Sequence, residues 1–321
     1  MASLTTSSNF IISKLTAHSR SSSTNNHRFP KRAAATMASE LHSQGRSRFL
    51  EFPHASTAVR SLMVELVSMV EDQLGSQLQP CSLPEDVQFY QNETGRSQAS
   101  LHIRSCSHPS QVDFILGSWL HFGLPTGGKL DITSLTTYLK STTDAPIFLM
   151  EIIQSNPTSM LLILDLPPRK DLVLHPEYLQ TFYEDTKLDV QRQLLSELPE
   201  VSPFVLSSLY VRSLVSPTAI LVNVQAGEGG QERLDEIVAD YIHPVAVEVL
   251  RVWIDGCALV GRELGDEERS VVERRDGLVK KKSIEMDLET SLPMFFEKET
   301  ADRVLAAIKD VFSGKEKRYK L

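Results

Sequence analysis

The chain has 321 residues, 41% hydrophobic and 23% charged, with a formal net charge of -8. That is an ordinary soluble composition, long enough for one large domain or two modest ones. The acidic balance argues against general nucleic-acid binding, and no run approaches the apolar length of a membrane span.

Residues 1–39 are different in kind. They are rich in Ser and Thr, carry Lys14, Arg20, Arg28, Lys31 and Arg32, and precede the first acid, Glu40. This is the composition of an organelle transit peptide, without the apolar core of a secretory signal. The MAS start and dense Ser/Thr favour a chloroplast over a mitochondrion. Residues 40–321 are expected to form a single domain.

The first predicted element is a helix over 57–78, capped by Ser56 or Thr57 and stopped by Pro80. Val59, Leu62, Met63, Leu66, Val70 and Leu74 recur at helical spacing, a stripe that reads as core. Strands follow over 99–105, 112–122 and 130–135, with turns at 107–110 and 125–128. Two more strands, 147–153 and 160–166, are joined by a turn containing Asn156, Pro157 and Ser159. Short loops between successive strands mean antiparallel pairing, because parallel pairing needs a long crossover.

The 147–153 and 160–166 strands are apolar on both sides, so both faces of the sheet should be covered. Yet Glu151 sits in the middle of the first and Asp165 near the end of the second. An unpaired buried charge is costly. Each carboxylate is therefore either satisfied by a nearby Arg or Lys or set apart for function. Asp165, in the sequence DLPP, can also cap a turn.

Helices are predicted over 176–183 and 188–198, then strands over 204–214 and 218–225. GEGG at 227–230 is not a phosphate loop, because the full fingerprint, the βαβ context and a following Lys-Ser/Thr are missing. A long helical region over 232–259 should kink at Pro244. Residues 261–282, dense in both signs of charge, read as solvated, and a last helix spans 299–312. About seven strands with helices before, between and after predict an α/β fold, a three-layer α/β/α sandwich around a mostly antiparallel sheet. Cys81, Cys106 and Cys257 show no CxxC and no metal spacing, and the nine histidines show no HExxH, so nothing asks for a metal.

Several motifs carry a family likeness. They are EFPHAS, LHIRS, DFILGSW, ITSL, LILDLPPRKDLVL, LPEVSPF, VRSLVSPTA, VLRVW and KKKSIEMDLE. Together they resemble the red chlorophyll catabolite reductase family of plants, from about Phe49 to Phe312. The likeness is weaker in the first segment and in the charged stretch after Cys257. The resemblance implies membership of the ferredoxin-dependent bilin reductase superfamily, with a tetrapyrrole held between sheet and helices. It implies a chloroplast stromal enzyme of chlorophyll breakdown. The implied reaction reduces a methine-bridge double bond of red chlorophyll catabolite to give primary fluorescent chlorophyll catabolite. Electrons come singly from reduced ferredoxin, and no flavin, metal or nicotinamide is bound. Implied partners are ferredoxin, the upstream chlorophyll-catabolic oxygenase and a second copy of the chain in a homodimer. The rival readings are a related bilin reductase acting on a haem-derived tetrapyrrole, and a non-catalytic tetrapyrrole-binding scavenger or scaffold.

The resemblance also assigns residues. Glu151 and Asp287 match the two carboxylates of the family pocket. Each electron makes the bilin more basic, so a positioned acid must supply a proton, and a Glu in a partly apolar pocket can hold one. On the residues alone, Asp287 reads as a helix-cap carboxylate in a charged neighbourhood. Val215 matches a position where residue bulk biases which face of the substrate is protonated, and Asp165 joins it as a substrate-binding candidate. Ferredoxin is acidic like this chain, so docking needs a local basic patch. Arg169 and Lys170, and the run Lys280, Lys281 and Lys282, are the candidates.

Overall fold

Apolar runs and short turns build most of the sheet, and the strands pair in nearly sequential order. They are β1 (Phe89–Gln91), β2 (Ser97–Ser105), β3 (Val112–Gly123), β4 (Lys129–Leu139), β5 (Phe148–Asn156), β6 (Ser159–Asp165), β7 (Val201–Pro203) and β8 (Ile220–Gln225). The spatial order is β1-β2-β3-β4-β5-β6-β8-β7, antiparallel throughout. The structure, a computed structural model, describes residues 44–124, 127–261 and 263–314. The segment 1–39 read as a transit peptide lies outside the described residues, as does part of the turn predicted at 125–128.

Side chains alternate across a strand, so the register sorts residues onto two faces. One face carries Ile115, Trp119, Leu135, Phe148, Met150 and Leu162. It is covered by α1 (Thr57–Leu74), α2 (Leu188–Ser196), α3 (Gly230–Ile237) and α4 (His243–Trp253). Ser56 caps α1 by accepting from the Val59 N–H, and the predicted stripe is buried. The backbone approaches closely at Gly117, where a Cβ would meet the Phe49 ring at 2.3 Å. The other face carries Phe114, Leu116, Leu120, Ile132, Leu149, Ile153 and Ile163. It is covered by the turn Ile284–Leu288 that follows α5 (Asp266–Ser283), by α6 (Glu289–Phe295) and by α7 (Lys298–Phe312). This is the expected three-layer sandwich.

Two expectations are corrected. The strand predicted over 204–214 is instead irregular chain with a helical turn, Leu209–Arg212. Ser208 caps that turn by accepting from Val211 N–H, and Arg212 Nε donates to the Leu206 carbonyl at 2.6 Å. The segment 261–282 is not simply solvated, because most of it forms α5. Asp266, Glu267 and Glu268 open that helix and Lys280, Lys281 and Lys282 close it, each sign favoured at its end of the helix dipole. Its buried apolar stripe is only Val272 and Val279.

Candidate active site

Glu151 projects from the middle of β5 toward the α5–α7 layer, on the same side as Leu149 and Ile153, and is 0% exposed. The ladder sets its neighbours. Ser118 pairs with Ser134, Ser134 with Glu151, and Glu151 with Ile163. Directly paired residues on one face stand roughly 5 Å apart at Cβ. Ser118 and Ser134 are themselves hydrogen-bonded, Oγ to Oγ at 2.7 Å. Thr136, buried on the same face, sits two pairs along the strand. A short polar row therefore crosses an otherwise apolar layer, with a carboxyl group at one end. The sequence shows Glu151 but not the row, because a strand serine is uninformative until register aligns it.

The helical layer brings the second carboxylate. Between α5 and α6 the chain makes one wide π-helical turn, Ile284–Leu288. Such turns re-aim side chains and are frequent at functional sites. Here the turn buries Asp287, at 3% exposure, beside Ile284 and Leu288 of the same core. Asp287 faces β4 closely enough that its charge, with that of Asp276, adds to the burial that pushes the Tyr138 phenol up. Asp287 is thus not a surface cap.

Val215 and Asp165 line one cavity. A narrow apolar throat of about 40 Å³ runs between Ile147, Leu149, Ile163, Leu206, Val215 and Val279, with Asp165 and Arg275 as its ionisable lining. Asp165 accepts from the Ser216 N–H (3.1 Å) and hydroxyl (2.5 Å), so it caps the distant turn after Val215 rather than the one expected at its own DLPP. Burial pushes its carboxyl up to about 6, against those hydrogen bonds. No Lys or Arg pairs with it among the described residues. The throat shares Leu214, Val215 and Arg275 with an open groove of about 680 Å³ along residues 168–175 and α5. Ligand pockets for molecules of this size class hold roughly 300–1,000 Å³, so the groove is large enough and the throat is closed down. Since Leu149 and Ile163 flank Glu151 in the ladder, the throat points at the polar row.

The basic residues offered for docking divide. Arg169 is 2% exposed and cannot dock a partner. Its guanidinium donates to the carbonyls of Leu139, Lys140, Thr143 and Ala145 and to the Asp276 carboxylate. Lys170 is tied to Asp144 and Glu268, and Lys280 to Asp113 while lying over Phe114. Lys281 and Lys282 remain on the surface, side chains 70% and 47% exposed, and among the described residues they pair with Glu285 of the next turn.

On the opposite face lies a cluster that sequence spacing did not show: His54, His121 and Asp131, with ligand-type atoms within 4.8 Å of one another. It does not suit a metal. The two imidazoles are stacked, centroids 3.8 Å apart and 13° from parallel, so their in-plane lone pairs run side by side. Asp131 is already held by His121 and by Lys129 at 2.8 Å. Burial pushes the Cys81 and Cys106 thiols up, as expected of inert cysteines.

An antiparallel sheet covered by helices on both faces is the fold this chain shares with a solved bilin-binding protein. Tomato phytochromobilin synthase, solved in complex with biliverdin, superposes with a TM-score of 0.57 over 79% of this chain and 83% of that one, at 16% identity. Residues 58–310 match the red chlorophyll catabolite reductase (RCC reductase) family. The chloroplastic red chlorophyll catabolite reductase of Arabidopsis thaliana is 49% identical over 270 residues, 83% of this chain and 84% of its own. Red chlorophyll catabolite reductase 1, chloroplastic, of Oryza sativa subsp. japonica is 44% identical over 261 residues, 81% and 79% of the two chains. The chain belongs to the red chlorophyll catabolite reductase family and is an oxidoreductase.

Proposed function

We propose that this chain reduces a methine-bridge double bond of red chlorophyll catabolite, an open-chain tetrapyrrole, to give primary fluorescent chlorophyll catabolite. Two electrons and two protons are added across the carbon–carbon double bond. The electrons arrive one at a time from reduced ferredoxin, and the protons pass through Glu151 and Asp287. The observation that carries this is the position of Glu151, wholly buried at the end of the Ser118–Ser134 row and one residue pair from the throat. Burial favours the neutral form of a carboxyl group, so Glu151 is suited to hold a proton until the bilin radical takes it. Asp287 comes from the facing helical layer, which lets the two acids serve opposite sides of a flat substrate. Val215, at the throat, is placed to restrict which side of the bridge is protonated.

The site is closed around Glu151, so the substrate must part the 204–215 segment from α5. Closing over the bilin would then exclude water and strengthen each polar contact. The workplace is taken to be the chloroplast stroma, the assembly a homodimer, and the substrate's supplier the upstream chlorophyll-catabolic oxygenase. The test is an anaerobic assay with ferredoxin, its reductase and red chlorophyll catabolite. Loss of the substrate's absorbance with appearance of a fluorescent product supports the reading. Tight binding without turnover would favour a scavenger instead.

A further inference from the structure

Arg275 stands where the throat meets the groove and lines both. Its side chain is 28% exposed, and burial works against its charge. Among the described residues its nearest carboxylate is Asp276 at 4.0 Å, too far for a hydrogen bond. Asp276 is already engaged by Arg169, through Nε at 3.3 Å and Nη2 at 2.5 Å. The other charges of the groove are also accounted for. Lys170 is neutralised by Asp144 and Glu268, and His175 lies 3.3 Å from Glu177. Asp171 accepts from the Val173 and Leu174 N–H groups. Glu267 and Arg274 lie on the exposed side of α5. Arg275 is therefore a half-buried guanidinium at the mouth of an apolar throat, and no hydrogen bond to it occurs among the described residues. Its planar fork matches a carboxylate in two-point contact.

We propose that Arg275 anchors a carboxylate side chain of the tetrapyrrole, with the apolar body of the molecule passing into the throat. This rests on the function proposed above and adds the direction in which the substrate lies. From Leu149, at the throat wall, to Glu151 is two residues along a strand, roughly 7 Å. A molecule held by its acid at Arg275 thus presents its conjugated part to Val215 first and to Glu151 beyond. Arg275 acts as a positioning residue and donates no proton to the reaction.

The experiment compares red chlorophyll catabolite with its carboxylate methyl ester, in wild type, Arg275→Gln and Arg275→Lys. Binding is read by absorbance titration without reductant, and turnover with reduced ferredoxin. Loss of a charge-assisted two-point contact should weaken binding of the free acid by about tenfold to a hundredfold. KM should rise accordingly while kcat changes little. Wild type should lose a similar factor on esterification, and Arg275→Gln should no longer distinguish acid from ester. Arg275→Lys should fall between. A wild type indifferent to esterification overturns the proposal, even if Arg275→Gln fails to fold. So does an equal loss for acid and ester in Arg275→Gln. Absence of turnover in wild type would instead count against the proposed function, since the titrations stand without it.

Discussion

Asp165 shows how a single residue's surroundings decide what it can do. Among the described residues it is satisfied by the Ser216 turn and not by a cation, and its carboxyl is pushed up to about 6. A folded-state value above the ordinary 3.8 means that the folded protein holds more protons than the unfolded chain in between. The stability it contributes is complete below the ordinary value and is lost as pH rises through about 6. Relative to Asp165→Asn, wild type should therefore gain stability as pH falls from 7 toward 4, by as much as about 3 kcal/mol. Urea melts at each pH check this, and a difference that does not change with pH would contradict it. Glu71, held low by Arg46 and Arg104, shifts in the opposite sense and is common to both proteins, so it cancels. At Gly117 the Phe49 ring leaves no room for a Cβ. Gly117→Ala should cost about 1–3 kcal/mol, the usual range for overpacking, read from the same melts. Glu151 and Asp165 could be singled out in the sequence because a carboxylate interrupts an apolar run. Ser118 and Ser134 could not, since only the ladder aligns them.

At the scale of elements, α5 carries the weight of the site: Arg275 on its wall, the Asp287 turn at its end. Arg169 bolts it to the β4–β5 connection through four carbonyls and Asp276. Arg169→Met leaves those acceptors and a half-buried carboxylate behind, so we expect a loss of about 3–5 kcal/mol. A chemical denaturation midpoint close to wild type would contradict the bolt. Sequence reading placed Arg169 on the surface because a basic residue after Pro-Pro looks like loop. The carbonyls that bury it belong to a connection some thirty residues away. It also missed α5, because Val272 and Val279 make too thin a stripe to stand out among charges. The strand predicted over 204–214 failed for the converse reason: Val, Leu and Tyr there suit a strand, yet Ser208 starts a helical turn. What survives of the docking expectation is Lys281 and Lys282, exposed on the helix that leads to Asp287. Reversing both charges should raise the KM for ferredoxin at low salt, weaken its salt dependence and leave bilin affinity unchanged. An unaltered salt dependence would remove this face from docking.

For the whole molecule, the layered architecture was legible because β2 to β6 are apolar runs that lack long connections and leave apolar residues on both faces. The closed throat was not legible, since it depends on how the 204–215 segment settles against α5. The proposed chemistry asks for closure around a buried acid: the sheet keeps Glu151 buried, and the π-helical turn brings Asp287 to the same face of the sheet. The most direct test is single-turnover reduction of red chlorophyll catabolite by excess reduced ferredoxin, followed by bilin absorbance, in wild type, Glu151→Gln, Asp287→Asn and the double variant. Each single change should slow reduction within the general acid–base range of about a hundredfold to ten-thousandfold, with bilin binding much less affected. The double variant should lose less than the product of the two. Near-wild-type rates in both single variants, with the bilin still bound, would contradict proton delivery by these carboxylates.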